Sequence, residues 1–141
     1  WSQLIYPLAI LIACGAYLWA NASNLNAMTV GDETAATLGI PVGRFRLTVF
    51  VVGAMITGVM VAFSGIIGFV GLMVPHVVRL VVGGDYRRVL PGSALIGAGF
   101  LLWADIAART VMAPEDMPIG IVTGLVGGIF FVWLLRGKRA A

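Results

Sequence analysis

Few side chains in this sequence could do chemistry from within an apolar run: Cys14, His76, Arg79, Asp105 and Arg109. An ionisable group at membrane depth is costly, so each is a functional candidate by default. His76 is the sole histidine and has no Cys, His or second carboxylate near it in sequence, whereas a metal centre needs three or four ligands. A structural hydrogen bond beside the helix break at Pro75 is the expectation for it. Asp105 and Arg109 are spaced to meet on one helix face, and such a pair lowers the cost of the carboxylate. Arg79 and Arg88 are expected near lipid headgroups, where their stems can stay apolar. Cys14, a lone cysteine, reads as a small buried filler with no disulfide or metal cluster behind it. GxxxxGK[ST], GxSxG and HExxH are all missing, so the chain has no P-loop phosphate cradle of its own. With no paired acid and base, and no nucleophile beside a base, an intramembrane enzyme is disfavoured.

The longest polar island is Val30 to Arg46, VGDETAATLGIPVGRFR. Asp32 can cap a short helix and Glu33 complements its dipole; Ala35, Ala36 and Leu38 continue it, and Gly39 is placed to end it in a left-handed conformation. Ile40 is pushed toward extended geometry by Pro41, and Pro41 can open a second helix through Val42 and Arg44 that runs into the next apolar stretch. The island thus reads as two short helices hinged at Gly39. Helices so short need packing or a partner to hold a fixed shape. A solvated connector is the alternative, although connectors commonly use only about 4–6 residues.

These residues are carried by a chain that is 60% hydrophobic and 11% charged over 141 residues, against roughly 25% charge in soluble domains. The fold class expected is all-α, a polytopic transmembrane helical bundle. Apolar runs occupy about 4–22, 47–63, 64–82, 90–108 and 119–135, near the ~20 residues that a bilayer of about 30 Å requires. The whole of 1–141 is one transmembrane fragment in this reading, without a soluble domain; it opens on Trp1 with no signal-peptide pattern. Trp19, Asn21, Asn24 and Asn26 form a collar suited to headgroups. Ala54 and Gly58 in the second run, and Gly120, Gly124 and Gly128 in the fifth, are small-residue stripes expected to serve helix packing, chiefly internal. The third run, with Gly68, Gly71 and Pro75, is expected to be a broken or short helix. Pro91 is read in the first turn of the fourth.

Of nine basic residues, eight fall on one face: Arg44, Arg46, Arg79, Arg87, Arg88, Arg136, Lys138 and Arg139. Only Arg109, beside Glu115 and Asp116, lies on the other. The positive-inside rule therefore puts the island, the GGDYRR loop at Gly83–Arg88 and the carboxyl terminus in the cytoplasm. The net charge of +3 is thereby explained by membrane topology, with membrane lipid and not nucleic acid as the partner.

Three stretches resemble the FecCD-type permeases of ATP-binding-cassette importers, which take up iron-siderophores, heme and cobalamin: GFVGLMVPHVVRL at Gly68–Leu80, LPGSALIGAGFLLWADIAART at Leu90–Thr110, and MPIGIVTGLVGGIFFVWLL at Met117–Leu135. The resemblance covers essentially the whole chain, and Gly68, Gly71, Pro75, His76, Arg79 and Asp105 are its signature. It implies a ten-span subunit of which this chain is the last five, in the inner or plasma membrane of a prokaryote. It also implies that Asp32, Glu33, Ala35, Ala36, Leu38, Gly39, Pro41 and Val42 match the paired coupling helices that enter a cleft of the cytoplasmic P-loop ATPase. Tyr86, Arg87 and Arg88 could touch the same partner. ATP and Mg would be held by that partner, with no cofactor or metal on this chain, so the chain is not itself an enzyme. A second permease subunit, as homodimer or heterodimer, and an extracytoplasmic substrate-binding protein complete the implied assembly, with Arg109 at the position that docks the binding protein. The competing reading is half of an ion-coupled secondary transporter, with the third run as its transport site.

Overall fold

The computed structural model describes residues 2–111 and 117–139. Glu115 and Asp116, which the charge argument placed opposite the basic face, lie outside the described residues. All regular structure among the described residues is helical: α1 (Ser2–Ala20), α2 (Ala22–Val30), α3 (Asp32–Thr37), α4 (Val42–Ser64), α5 (Val70–Val82), α6 (Tyr86–Val111) and α7 (Ile119–Arg139). Four segments, Gln3–Ala20, Val42–Ser64, Tyr86–Val111 and Ile119–Gly137, are long and apolar enough to cross a membrane. The protein is a multi-pass membrane protein.

Three boundaries differ from the sequence expectation, each for a local reason. The third run does not form one span over 64–82. α4 continues through Ser64; Gly65, at φ +77°, and Phe69, at φ +64°, then interrupt the helix before α5. At 13 residues, α5 rises about 20 Å, less than the ~30 Å bilayer core. The amide collar is itself helical: Asn21 donates from Nδ2 to the Tyr17 carbonyl at 2.9 Å, and α2 resumes at Ala22. The fourth run starts earlier, at Tyr86, so Pro91 stands inside α6 and not in its first turn. A proline there withholds the N–H that the carbonyl four residues back requires. That carbonyl belongs to Arg87.

The chain divides into two compact units. One draws on the chain up to Ser64 together with Gly84–Arg88; in it α1 packs along α4, and α3 lies against both α2 and α4. Pro7, Ala22, Ala35 and Phe45 are its buried side chains. The other draws on Gly65–Gly83 and the chain from Val89 onward. Val74 and Val78 on α5 meet Val89 on α6 in its core, with Val70, Met73 and Val82 around them. α7 comes close to the α4–α5 connection at two glycines: a Cβ at Gly120 would strike the Ile66 carbonyl, and one at Gly127 would strike Phe69. Most other large apolar side chains are exposed on this chain, as membrane spans require for lipid or further helices.

Candidate coupling site

The island folds as a short helix followed without delay by a membrane-length one. α3 begins at Asp32, and its capping position is Gly31, at φ 148° and ψ 153°, a conformation essentially reserved for glycine. Asp32 is therefore a first-turn residue and not the cap. Its carboxylate instead takes a bidentate contact from Arg46 Nη2, at 2.7 and 2.9 Å, that ties α3 to the first turns of α4. Glu33 beside it also sits in the first turn, where negative charge complements the helix dipole.

The far end of α3 is closed by backbone. Gly39, at φ +80°, donates to the Ala36 carbonyl at 3.0 Å, and Ile40 donates to the Ala35 carbonyl at 3.2 Å. This 5→2 and 6→1 pair is a Schellman stop, which needs a left-handed residue where Gly39 stands. Pro41 follows and caps α4, its carbonyl accepting from Phe45 N–H at 2.9 Å. The helix that Pro41 opens through Val42 and Arg44 is continuous with the apolar stretch that follows and forms the first part of α4. Ala35 is fully buried, whereas Asp32, Glu33, Ala36, Leu38 and Pro41 are exposed and Val42 is half-buried. One face of α3 packs and the other is offered outward, with Leu38 67% exposed at its tip.

A polar network adjoins this elbow. Asp85 caps α6, its Oδ1 accepting from Arg87 N–H at 2.9 Å. Asn26 on α2 donates from Nδ2 to the same oxygen at 2.7 Å and accepts from Tyr86 N–H at 2.9 Å. Arg87 Nη2 donates to Ser23 Oγ at 2.6 Å. Trp19 Nε1 donates to the Arg87 carbonyl at 3.2 Å, supplying the donor that Pro91 withholds. The Arg87 N–H and the Asn26 amide hold the Asp85 carboxyl below its ordinary range, with Arg87 and Arg88 charge adding to the effect. From the sequence alone Asn26 and Trp19 belong to a headgroup collar, and Asp85 has no assigned role. The signal for it in the sequence is Asp85 itself, a favoured N-cap residue directly before the helix that starts at Tyr86.

The remaining predicted residues lie elsewhere. Arg109 Nε pairs with Asp105 Oδ2 at 2.9 Å, one turn apart on α6. His76 stands edge-on to Phe130, with ring centroids 6.2 Å apart, and lines a cavity of about 180 Å³ with Phe69, Met73 and Gly127. Gly68 accepts from Val70 N–H at 2.8 Å just before α5; Gly71 and Pro75 lie within α5, and Arg79 in its last turn. Ala54 is exposed on α4, and Gly58, Gly124 and Gly128 have no neighbour among the described residues within 4 Å of a Cβ position. Of the stripe glycines, Gly120 is therefore the one that meets a close neighbour among the described residues; Gly127, against Phe69, and Gly92, against Val78, make close approaches outside the predicted stripes.

Comparison with known proteins places this arrangement. The hemin transport system permease protein HmuU of Yersinia pestis is 42% identical over 99% of this chain and 42% of its own length. The Fe(3+) dicitrate transport system permease protein FecC of Escherichia coli K12 is 38% identical over 98% of this chain and 42% of its own. A solved chain described as an inward-facing conformation of a metal-chelate type ABC transporter superposes with a TM-score of 0.90 at 31% identity, covering 97% of this chain and 44% of that one. The chain spans about two-fifths of the length of the curated relatives it matches. The profile of the FecCD transport family matches residues 1–137, and the chain belongs to that family.

Proposed function

We propose that this chain is the ATPase-contacting part of a permease subunit that imports a metal chelate of the iron-siderophore, heme or cobalamin kind. The observation that carries the proposal is α3: a helix of six residues, stopped at both ends by glycine conformations, bonded to α4 through Asp32 and Arg46, and exposed on its outer face. A helix this short gains nothing from length and is marginal alone. Its fixed form is useful as a contact that a partner can push. In the proposed cycle, two ATPase subunits bind ATP and Mg and close; their movement displaces α3 together with Leu38 and Gly39. The Asp32–Arg46 pair and the short Ile40–Pro41 link pass the displacement to α4, which is helical without interruption from Val42 to Ser64. Tilting of α4 and its neighbours then exchanges outward and inward openings of the pathway. In this reading the island and the carboxyl terminus are cytoplasmic, Arg109 faces an extracytoplasmic binding protein, and a second permease subunit covers exposed helix faces.

The test is purification of the full-length parent from its own membranes in mild detergent. A co-purifying P-loop subunit, lost when residues 31–43 are replaced by a Gly-Ser linker, supports the proposal. Uptake that follows an ion gradient in the absence of such a subunit would sink it and return attention to α5.

A further inference from the structure

Asn26 occupies a position that asks one side chain to donate and to accept at the same time. One neighbour, the Asp85 carboxylate, can only accept, and the other, the Tyr86 N–H, can only donate. The side-chain amide meets both, at 2.7 and 2.9 Å. Around it Arg87 reaches Ser23 Oγ and Trp19 reaches the Arg87 carbonyl. Four of these bonds bridge 59, 60, 64 and 68 residues of sequence, and all converge on residues 85–87, the cap and first turn of α6. Three of the four lie on exposed atoms, where hydrogen bonds compete with water and contribute little to stability. Their shared effect is geometric: they bind the start of α6 to α2, and α2 leads through Gly31 straight into α3.

We infer that the Asn26–Asp85 clasp is a positioning device that makes α2 and the first turn of α6 move together, so that displacement of the α3 elbow reaches α6 as well as α4. Rigid-body coupling of this sort needs a short, directional contact whose partners cannot trade for water without breaking the register. The inference rests on the coupling role proposed for α3. Asn26→Asp sets two carboxylates against each other and breaks the clasp. The exchange Asn26→Asp with Asp85→Asn rebuilds it with the groups reversed. The carboxylate now on α2 accepts from the Tyr86 N–H and from the amide nitrogen that stands where the shared Asp85 oxygen stood, so the clasp is remade while the cap bond from the Arg87 N–H is given up.

The experiment uses the full-length permease reconstituted in proteoliposomes with its own ATPase and binding protein. Hemin, ferric citrate and cobalamin are offered in turn, and the one taken up by the wild type serves as probe. The readout is substrate moved per ATP hydrolysed. Asn26→Asp is expected to lower it several-fold, and the double exchange to recover most of that loss. An unchanged ratio in Asn26→Asp, or a loss that the exchange does not repair, overturns the inference. If Asn26→Asp does not accumulate, Asn26→Ala replaces it, and the exchange must still couple better than Asn26→Ala. Gly39→Pro is measured alongside: full coupling in that variant defeats the elbow reading itself, whereas uncoupling there with normal Asn26→Asp defeats the clasp alone.

Discussion

Arg46 Nη2 grips both carboxylate oxygens of Asp32, fourteen residues earlier, at 2.7 and 2.9 Å, and so closes the elbow between α3 and α4. Both side chains are about half exposed, at 51% and 55%. Such a pair contributes at most ~1 kcal/mol. Arg46→Ala should therefore leave thermal stability almost unchanged while lowering uptake per ATP, a split that a purely structural pair would not produce. Unfolding in detergent and proteoliposome transport, measured on one preparation, test it.

Gly39 should tolerate little. Its φ of +80° costs a residue with a side chain roughly 1–2 kcal/mol, so Gly39→Ala should weaken the Schellman stop and reduce coupling partially. Gly39→Pro also removes the N–H that bonds Ala36 and should abolish it. Gly39→Asn, which enters the left-handed region more readily, should fall closest to wild type. Transport by all three in parallel checks the order.

Packing in the second unit predicts a contrast between two glycines. A Cβ at Gly127 would collide with Phe69 at its own Cβ, close to the backbone, where no rotamer change gives relief. Gly127→Ala should destabilise by about 1–3 kcal/mol. At Gly97 the new methyl would lie 3.8 Å from Val74, and Gly97→Ala should be neutral or stabilising by up to ~1 kcal/mol through helix propensity. Melting temperatures of the purified full-length variants distinguish the two.

The Asp85 clasp should carry a pH signature. Its carboxyl is held below the ordinary 3.8 by Arg87 N–H and Asn26, with Arg87 and Arg88 nearby. A lowered folded value means that the unfolded chain binds the proton first, so the stabilisation is complete above the ordinary value and is lost as pH falls through the folded one. Wild type should exceed Asp85→Asn in stability near neutrality, and the gap should close below about pH 4. Thermal unfolding across that range measures it; a constant gap would refute the assignment.

Arg109 has two roles to separate, its pair with Asp105 and the proposed docking of a binding protein. Exchanging the charges, Asp105→Arg with Arg109→Asp, keeps the helical pair but presents the opposite sign at the outer position. Stability should survive the exchange, and affinity for the binding protein should fall at least as far as in Arg109→Ala. Pull-down of the binding protein by the reconstituted permease reads this out.

Much of the architecture was legible because membrane solvation imposes coarse rules on a sequence. Apolar length located α1, α4, α6 and α7, and the glycine before Ile40–Pro41 located the stop of α3, since few residues enter a left-handed turn. The breaks were harder. Pro91 suggested a helix start, but Asp85 capped α6 earlier, and the lost hydrogen bond was made good by Trp19 from α1, a compensation that no local pattern announces. Glycine spacing likewise could not tell Gly120, against a carbonyl, from Gly124 and Gly128, which meet nothing among the described residues.

By itself the sequence determined the helical membrane class, the family, and the glycine-bounded elbow, because hydropathy, backbone conformation and short motifs act over a few residues. Only the tertiary structure decided that Arg46 holds Asp32 and that Asn26, read as a headgroup amide, holds Asp85 across 59 residues. Hydrogen bonds are directional and short-ranged, so which donors meet which acceptors depends on how distant helices are brought together, and side-chain type alone does not specify that.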